Sequence, residues 1–197
     1  MIQLAQSITM PKTNTSKASW LQTSAVRVTR VHFLYVLAYM VSIVVFDSWN
    51  LLTHAAVSTR WTAAVALLVF NTLLWYSARI RYSSSTVYVF LVLALILADI
   101  IFAAFSVYWE RGLASKAVAL FAVPIITSAT LRSRSTLAAT TILSAAAYSV
   151  AAVRYFYLHY GESYRVELYG YLVFYCAIFF VLSWLLWVVI NPTQKKL

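Results

Sequence analysis

A chain of 197 residues that is 63% hydrophobic and only 10% charged falls far below the roughly 25% charge of a soluble domain, so most of its solvent is lipid. Its apolar runs are continuous and it holds only three glycines and three prolines, which argues against a membrane barrel built from alternating segments of about ten residues and frequent turns. The net charge of +10 does not point to nucleic acid, because the basic residues gather at the ends of apolar runs, where they orient the protein and meet anionic headgroups.

Residues 1–30 are polar, basic and rich in Ser and Thr, and they lack the apolar core of a signal peptide. They read as a cytoplasmic tail or a helix on the membrane surface, anchored by Trp20, Leu21 and Val26 beside Arg27 and Arg30. Residues 31–190 then offer six apolar runs, where a crossing needs about 20 residues. The runs are Val31–Leu52, Trp61–Ala78, Thr86–Tyr108, Ser115–Leu131, Thr136–Tyr157 and Leu168–Ile190. The fourth is the shortest and contains Pro124. Residues 191–197 form a basic tail in which Asn191 and Pro192 stop the last helix. The expected fold is one all-α polytopic bundle of six transmembrane helices.

Charge sets the expected orientation. One set of inter-span segments holds Lys12, Lys17, Arg27, Arg30, Arg79, Arg81, Arg132, Arg134, Lys195 and Lys196, and no acid. The other set holds Arg60, Arg111, Lys116, Arg154 and Arg165 together with Asp47, Glu110, Glu162 and Glu167. Lys and Arg favour the cytoplasmic side, which predicts both termini inside a plasma membrane, with anionic lipids at the cytoplasmic face. Tyr and Trp residues such as Trp49, Trp61, Tyr108 and Trp109 fall at the expected interfaces. The outer loop Leu158–Glu167, with His159 and Glu162, reads as a solvated loop.

Polar groups at membrane depth are the functional candidates, because charge there is costly and usually faces the bundle interior. Asp99 is the foremost. Arg154 is a candidate cation for it, reaching inward along an apolar stem. The alternative is a neutral Asp99 hydrogen-bonded to a Tyr or Ser of a neighbouring helix. Asn71 lies near the middle of the second run. Pro124 predicts a kink in the fourth, and Thr127 and Ser128 share a face after it. Thr140, Ser144 and Tyr148 form one stripe on the fifth. The alanine-rich fifth run lets neighbours approach closely and is the expected centre of the bundle. Asn71, Asp99, Thr127, Ser128, Ser144 and Tyr148 are expected to line one ligand-binding cavity.

The lone Cys176 cannot form an intramolecular disulfide or a thiolate metal site, and it reads as a packing residue. His32, His54 and His159 are dispersed near expected span ends without metal-ligand spacing. No phosphate-binding loop, dinucleotide fingerprint or nucleophile elbow occurs. Neither a cofactor, nor a metal, nor a catalytic activity is expected.

From Asp99 the chain reads Asp-Ile-Ile-Phe-Ala-Ala-Phe-Ser-Val-Tyr-Trp-Glu-Arg-Gly-Leu-Ala-Ser. Leu120-Phe121-Ala122-Val123-Pro124-Ile125-Ile126 and an Ala-rich helix ending near Tyr148 follow. This stretch resembles the N-terminal six-span sensor region of some bacterial membrane histidine kinases. The family's paired glycines are here Arg111-Gly112, and Lys116 follows Ser115 where the family favours proline. The resemblance implies signal perception inside the membrane, and without a kinase core after Ile190 it implies no phosphoryl transfer. The expected function is a non-enzymatic sensor or receptor-like module, taking a small or lipophilic ligand or coupling to a partner protein or a second copy. Six spans at this length also resemble the substrate-binding subunits of vitamin importers, and a structural or assembly subunit is the third reading.

Overall fold

A computed structural model describes residues 13–49, 51–82, 84–110, 115–159 and 165–194, and those residues are overwhelmingly helical. In chain order they form α1 (Thr13–Ser48), α2 (His54–Arg79), α3 (Ser85–Trp109), a 3₁₀ segment (Lys116–Phe121), α4 (Ala122–Ala129), α5 (Arg134–His159) and α6 (Arg165–Gln194). Five stretches are long and apolar enough to cross a membrane: Ser19–Ser48, His54–Arg79, Ser85–Trp109, Arg134–His159 and Val166–Ile190. The chain is therefore a multi-pass membrane protein. Lys12, Lys195, Lys196, Arg111 and Glu162 lie outside the described residues.

The first helix starts much earlier than the apolar run suggests. Leu21, Ala25, Val28, His32, Val36 and Ile43 are buried, and their spacing of three, four and seven residues traces one face of a helix. Arg27 and Arg30 point the other way and are exposed. The segment read as a tail up to residue 30 thus belongs to α1 from Thr13 onward, with Leu21 and Ala25 in the main core. At about 1.5 Å per residue its 36 residues reach about 54 Å, well beyond a hydrocarbon core of about 30 Å.

Local signals set the helix starts. The side chain of Thr53 accepts from the Ala56 amide, Ser84 from Thr86 and Ser115 from Ala117. The α2–α3 turn is locked from the core. The buried Tyr88 hydroxyl donates to the Ile80 carbonyl (2.9 Å) and accepts from the Tyr82 amide (3.0 Å).

The fourth apolar run is built differently from the others. Six residues of 3₁₀ helix lead into eight of α-helix, and rises of about 2.0 and 1.5 Å per residue give about 24 Å in all. Pro124 does not kink one long α-helix. It sits in the first turn of α4, two residues after the change of helix type, where a missing amide is tolerated. The short pair still joins the two ends of the bundle. At one end Gln22 donates to the Ala78 carbonyl (3.4 Å), and Arg132 and Arg134 lie 5.0 Å above the rings of Trp20 and Trp187. At the other end Arg60 pairs with Glu110 at 2.9 Å, and the rings of Tyr108 and Tyr155 meet at 6.0 Å.

The centre of the bundle is α3, where the sequence pointed to α5. α3 packs against α1, α2, the 3₁₀ segment, α4 and α5. It buries Tyr88, Val92, Leu95, Ile96, Asp99, Ile100, Phe102, Ala103, Ser106 and Val107, positions that trace one broad face of the helix, while Phe90, Leu97, Ile101 and Phe105 on the other face are exposed. The small residues of α5 do bring close neighbours, chiefly α3, α4 and α6. Large apolar residues such as Leu34, Val69, Phe90, Val150, Val173 and Trp184 are exposed, as a lipid solvent requires.

Removing the Tyr88 hydroxyl strands two backbone groups. Tyr88→Phe is expected to cost about 1–2 kcal/mol, read as a lower unfolding midpoint in detergent. An unchanged midpoint would mean that the α2–α3 turn is held otherwise.

Candidate functional site

The polar interior is organised around one contact between α1 and α3. His32 Nε2 lies 2.6 Å from Asp99 Oδ2, with the histidine 3% exposed and the aspartate 0%. The two groups share one proton in a hydrogen bond sealed from bulk solvent. One turn earlier on α1, the Thr29 carbonyl accepts from the Asn71 side chain of α2 at 3.1 Å. Three helices therefore meet at one level through polar atoms.

The pair is not fully satisfied. Asp99 Oδ1, Asn71 Oδ1 and the Tyr35 hydroxyl have no hydrogen-bond partner among the described residues. Buried polar atoms normally find partners, and an orphan is destabilising by about 1–3 kcal/mol. Tyr35 lies edge-on to His32 at 5.6 Å, and Phe102 lies edge-on to both Tyr35 (6.5 Å) and Tyr39 (4.8 Å). A groove of about 330 Å³ opens between α1 and α4 beside this cluster. Val31, Val123 and Ile126 give it an almost wholly apolar surface, and His32, Tyr35 and Thr127 are among the residues that line it. Chemically the arrangement can accept a hydrogen bond at Asp99, donate one from Tyr35 and move a proton within the pair.

Arg154 is not the partner of Asp99. Its guanidinium lies 6.0 Å above the Tyr108 ring and the side chain is exposed. The register explains this. Asp99 stands ten residues before the end of α3, about 15 Å in, while Arg154 stands five before the end of α5, about 7.5 Å in.

All six expected cavity residues are buried, yet they do not share one cavity. Asn71 and Asp99 belong to the α1–α2–α3 cluster, and Thr127 borders its groove. Tyr148 sits in a second, aromatic cluster with Phe121 (6.1 Å), Tyr175 (5.6 Å) and Phe179 (6.0 Å). Ser144 is on the same α5 stripe, one turn before Tyr148. The Ser128 hydroxyl turns back to donate to the Ile125 carbonyl at 2.7 Å. Helix-internal bonds of this kind consume its donor and leave only acceptor capacity for a ligand.

His32 is the residue that sequence reading missed. With the first span placed at Val31, His32 fell at its edge. The signal that moves it inward is the apolar series Leu21, Ala25 and Val28, which extends the buried face of α1 upstream of it. His54 begins α2, and His159 stacks on Tyr155 at 4.1 Å, so neither joins His32. Among the described residues no three His, Cys, Asp or Glu side chains come together as a metal would require.

No protein-family model, curated protein or solved structure matches this chain.

A double-mutant cycle separates the two pairings of Asp99. Interhelical hydrogen bonds in membranes average about 0.6 kcal/mol, whereas breaking a buried ion pair in a soluble protein costs about 3–5 kcal/mol. His32→Leu and Asp99→Leu are expected to couple by about 1–3 kcal/mol. Arg154→Leu should add to Asp99→Leu within about 0.5 kcal/mol. Coupling of Asp99 to Arg154 instead of His32 would contradict the assignment.

Proposed function

We propose that this protein is a non-enzymatic, sensor-like membrane module that holds a lipophilic small molecule against the His32–Asp99 pair. The observation that carries this reading is the pairing of unmet hydrogen-bond capacity, at Asp99 Oδ1 and the Tyr35 hydroxyl, with an apolar groove at the same level. A largely apolar ligand with one hydroxyl group, able to donate to Asp99 Oδ1 and accept from Tyr35, would enter from the bilayer between α1 and α4. Its polar end would satisfy the orphans, and its body would lie along Val31, Val123 and Ile126.

The accompanying topology is six spans, with the 3₁₀ segment and α4 serving as the fourth, in a plasma membrane with both termini in the cytoplasm. Support comes from the residues that meet at one end of the bundle. Arg132, Arg134 and the end of α2 with Arg79 cluster there with the early part of α1. The acids Glu110 and Asp47 sit at the opposite ends of α3 and α1, as the bias of Lys and Arg toward the cytoplasm requires.

Both parts are testable. Native mass spectrometry from mild detergent is expected to show one small molecule bound to the wild type and lost from Asp99→Asn and Tyr35→Phe. A wild type that is empty, or bound only to partner proteins, would favour a structural or assembly role. For topology, single cysteines are placed at His54 and Ser135 in a Cys176→Ser background. An impermeant maleimide applied to intact cells should label His54→Cys and spare Ser135→Cys, and the reverse pattern would overturn the orientation.

A further inference from the structure

A second cavity, of about 610 Å³, lies at the Arg60–Glu110 end of the bundle, where α1, α2 and α3 meet the start of the 3₁₀ segment. It has two chemically distinct walls. Phe46, Leu51, Leu52 and Leu120 form an apolar one. Arg60, Glu110 and Lys116 form a polar one.

The charges on the polar wall do not balance. Glu110 is fully engaged. Its Oε1 accepts from Arg60 at 2.9 Å, and its Oε2 accepts from the Ser115 hydroxyl at 3.1 Å and the Ala117 amide at 3.2 Å. One carboxylate therefore neutralises one guanidinium and spends both oxygens doing so. Lys116 is exposed and has no carboxylate within ion-pair distance among the described residues. Asp47 stands next to Phe46 in sequence but does not line the cavity. Among the described residues the lining thus carries one surplus positive charge, and Arg60 keeps donors beyond the one given to Glu110, since a guanidinium has five.

We propose that this vestibule is a binding site for an organic anion with an apolar body. The carboxylate or phosphate of the ligand sits between Lys116 and Arg60, and its body lies against Leu51, Leu52, Phe46 and Leu120. The volume falls within the roughly 300–1,000 Å³ of small-molecule sites, and an aqueous cation beside an apolar wall selects an amphiphilic anion over a bare ion. The same chemistry has two sources, a water-soluble carboxylate or an anionic lipid headgroup. The site uses residues separate from His32 and Asp99, so the ligand reading for that pair can fail without affecting it.

The experiment uses the full chain in phosphatidylcholine nanodiscs. Benzoate is titrated by calorimetry, and nanodiscs with a tenth of phosphatidylglycerol are compared by native mass spectrometry. Three variants are measured beside the wild type. Lys116→Glu inverts the charge at a position that opens a helix, where an acid is favourable. Ala56→Leu fills the cavity from α2. Arg154→Glu makes the same charge change at the same end of the bundle but outside the cavity. Saturable benzoate binding that weakens at least tenfold in Lys116→Glu and Ala56→Leu, but not in Arg154→Glu, supports a soluble ligand. Phosphatidylglycerol retained in preference to phosphatidylcholine and lost in the same two variants supports a lipid one. Absence of both in the wild type overturns the proposal, as does binding that responds equally to Lys116→Glu and Arg154→Glu.

Discussion

The contact between His32 and Asp99 sets the terms for the rest of the bundle. An ionisable group at membrane depth is tolerated only where the protein supplies what water would have supplied. Asp99 on α3 finds that in a histidine on α1 at 2.6 Å. Meeting the requirement fixes the rotation of both helices about their axes. Once His32 faces inward, Leu21, Ala25, Val28, Val36 and Ile43 must face inward too. Arg27 and Arg30 are then turned outward. The same choice places Thr29 where its carbonyl can take the Asn71 side chain of α2, so one polar contact orients three helices.

A polar face continues along α1 from this level. Thr29, His32, Tyr35, Tyr39 and Ser42 follow one another at spacings of three or four, and Asp99, Phe102 and Glu110 lie on the α3 side. The face begins at the buried pair and ends at the vestibule, which Tyr39 and Ser42 also line. Phe102 stands between the two, packed edge-on against both tyrosines. One aromatic ring therefore separates the buried pair from the vestibule along this seam.

Much of the architecture was legible in the sequence because lipid imposes simple demands. The long apolar runs ending at Tyr108 and Tyr157 became helices close to the expected limits, whereas α6 continues past Ile190 through Asn191 and Pro192, the expected stop, to Gln194. Asp99 and Asn71 were found as functional candidates by cost alone, and both are fully buried at the same junction. Four features escaped for physical reasons. The start of α1 was hidden because a buried stripe spaced at three and four residues is interleaved with Ser, Thr and Arg, which dilute its hydropathy. The partner of Asp99 was misassigned because pairing depends on axial register, which Arg154 misses by about 7.5 Å. The hub was misplaced because small residues permit close packing without saying how many neighbours will use it. α3 instead takes that place through one broad buried face that meets α1, α2, α4 and α5. The separation of Tyr148 from Asp99 was likewise invisible, since it depends on which helix faces meet.

The most direct measurement of the central contact is the ¹⁵N NMR spectrum of the His32 ring in lipid, with His54 and His159 replaced by Gln so that a single imidazole remains. The account predicts a strongly hydrogen-bonded Nε2 signal that shifts on Asp99→Asn and stays in place on Arg154→Gln. An Nε2 signal that is indifferent to Asp99→Asn would contradict it.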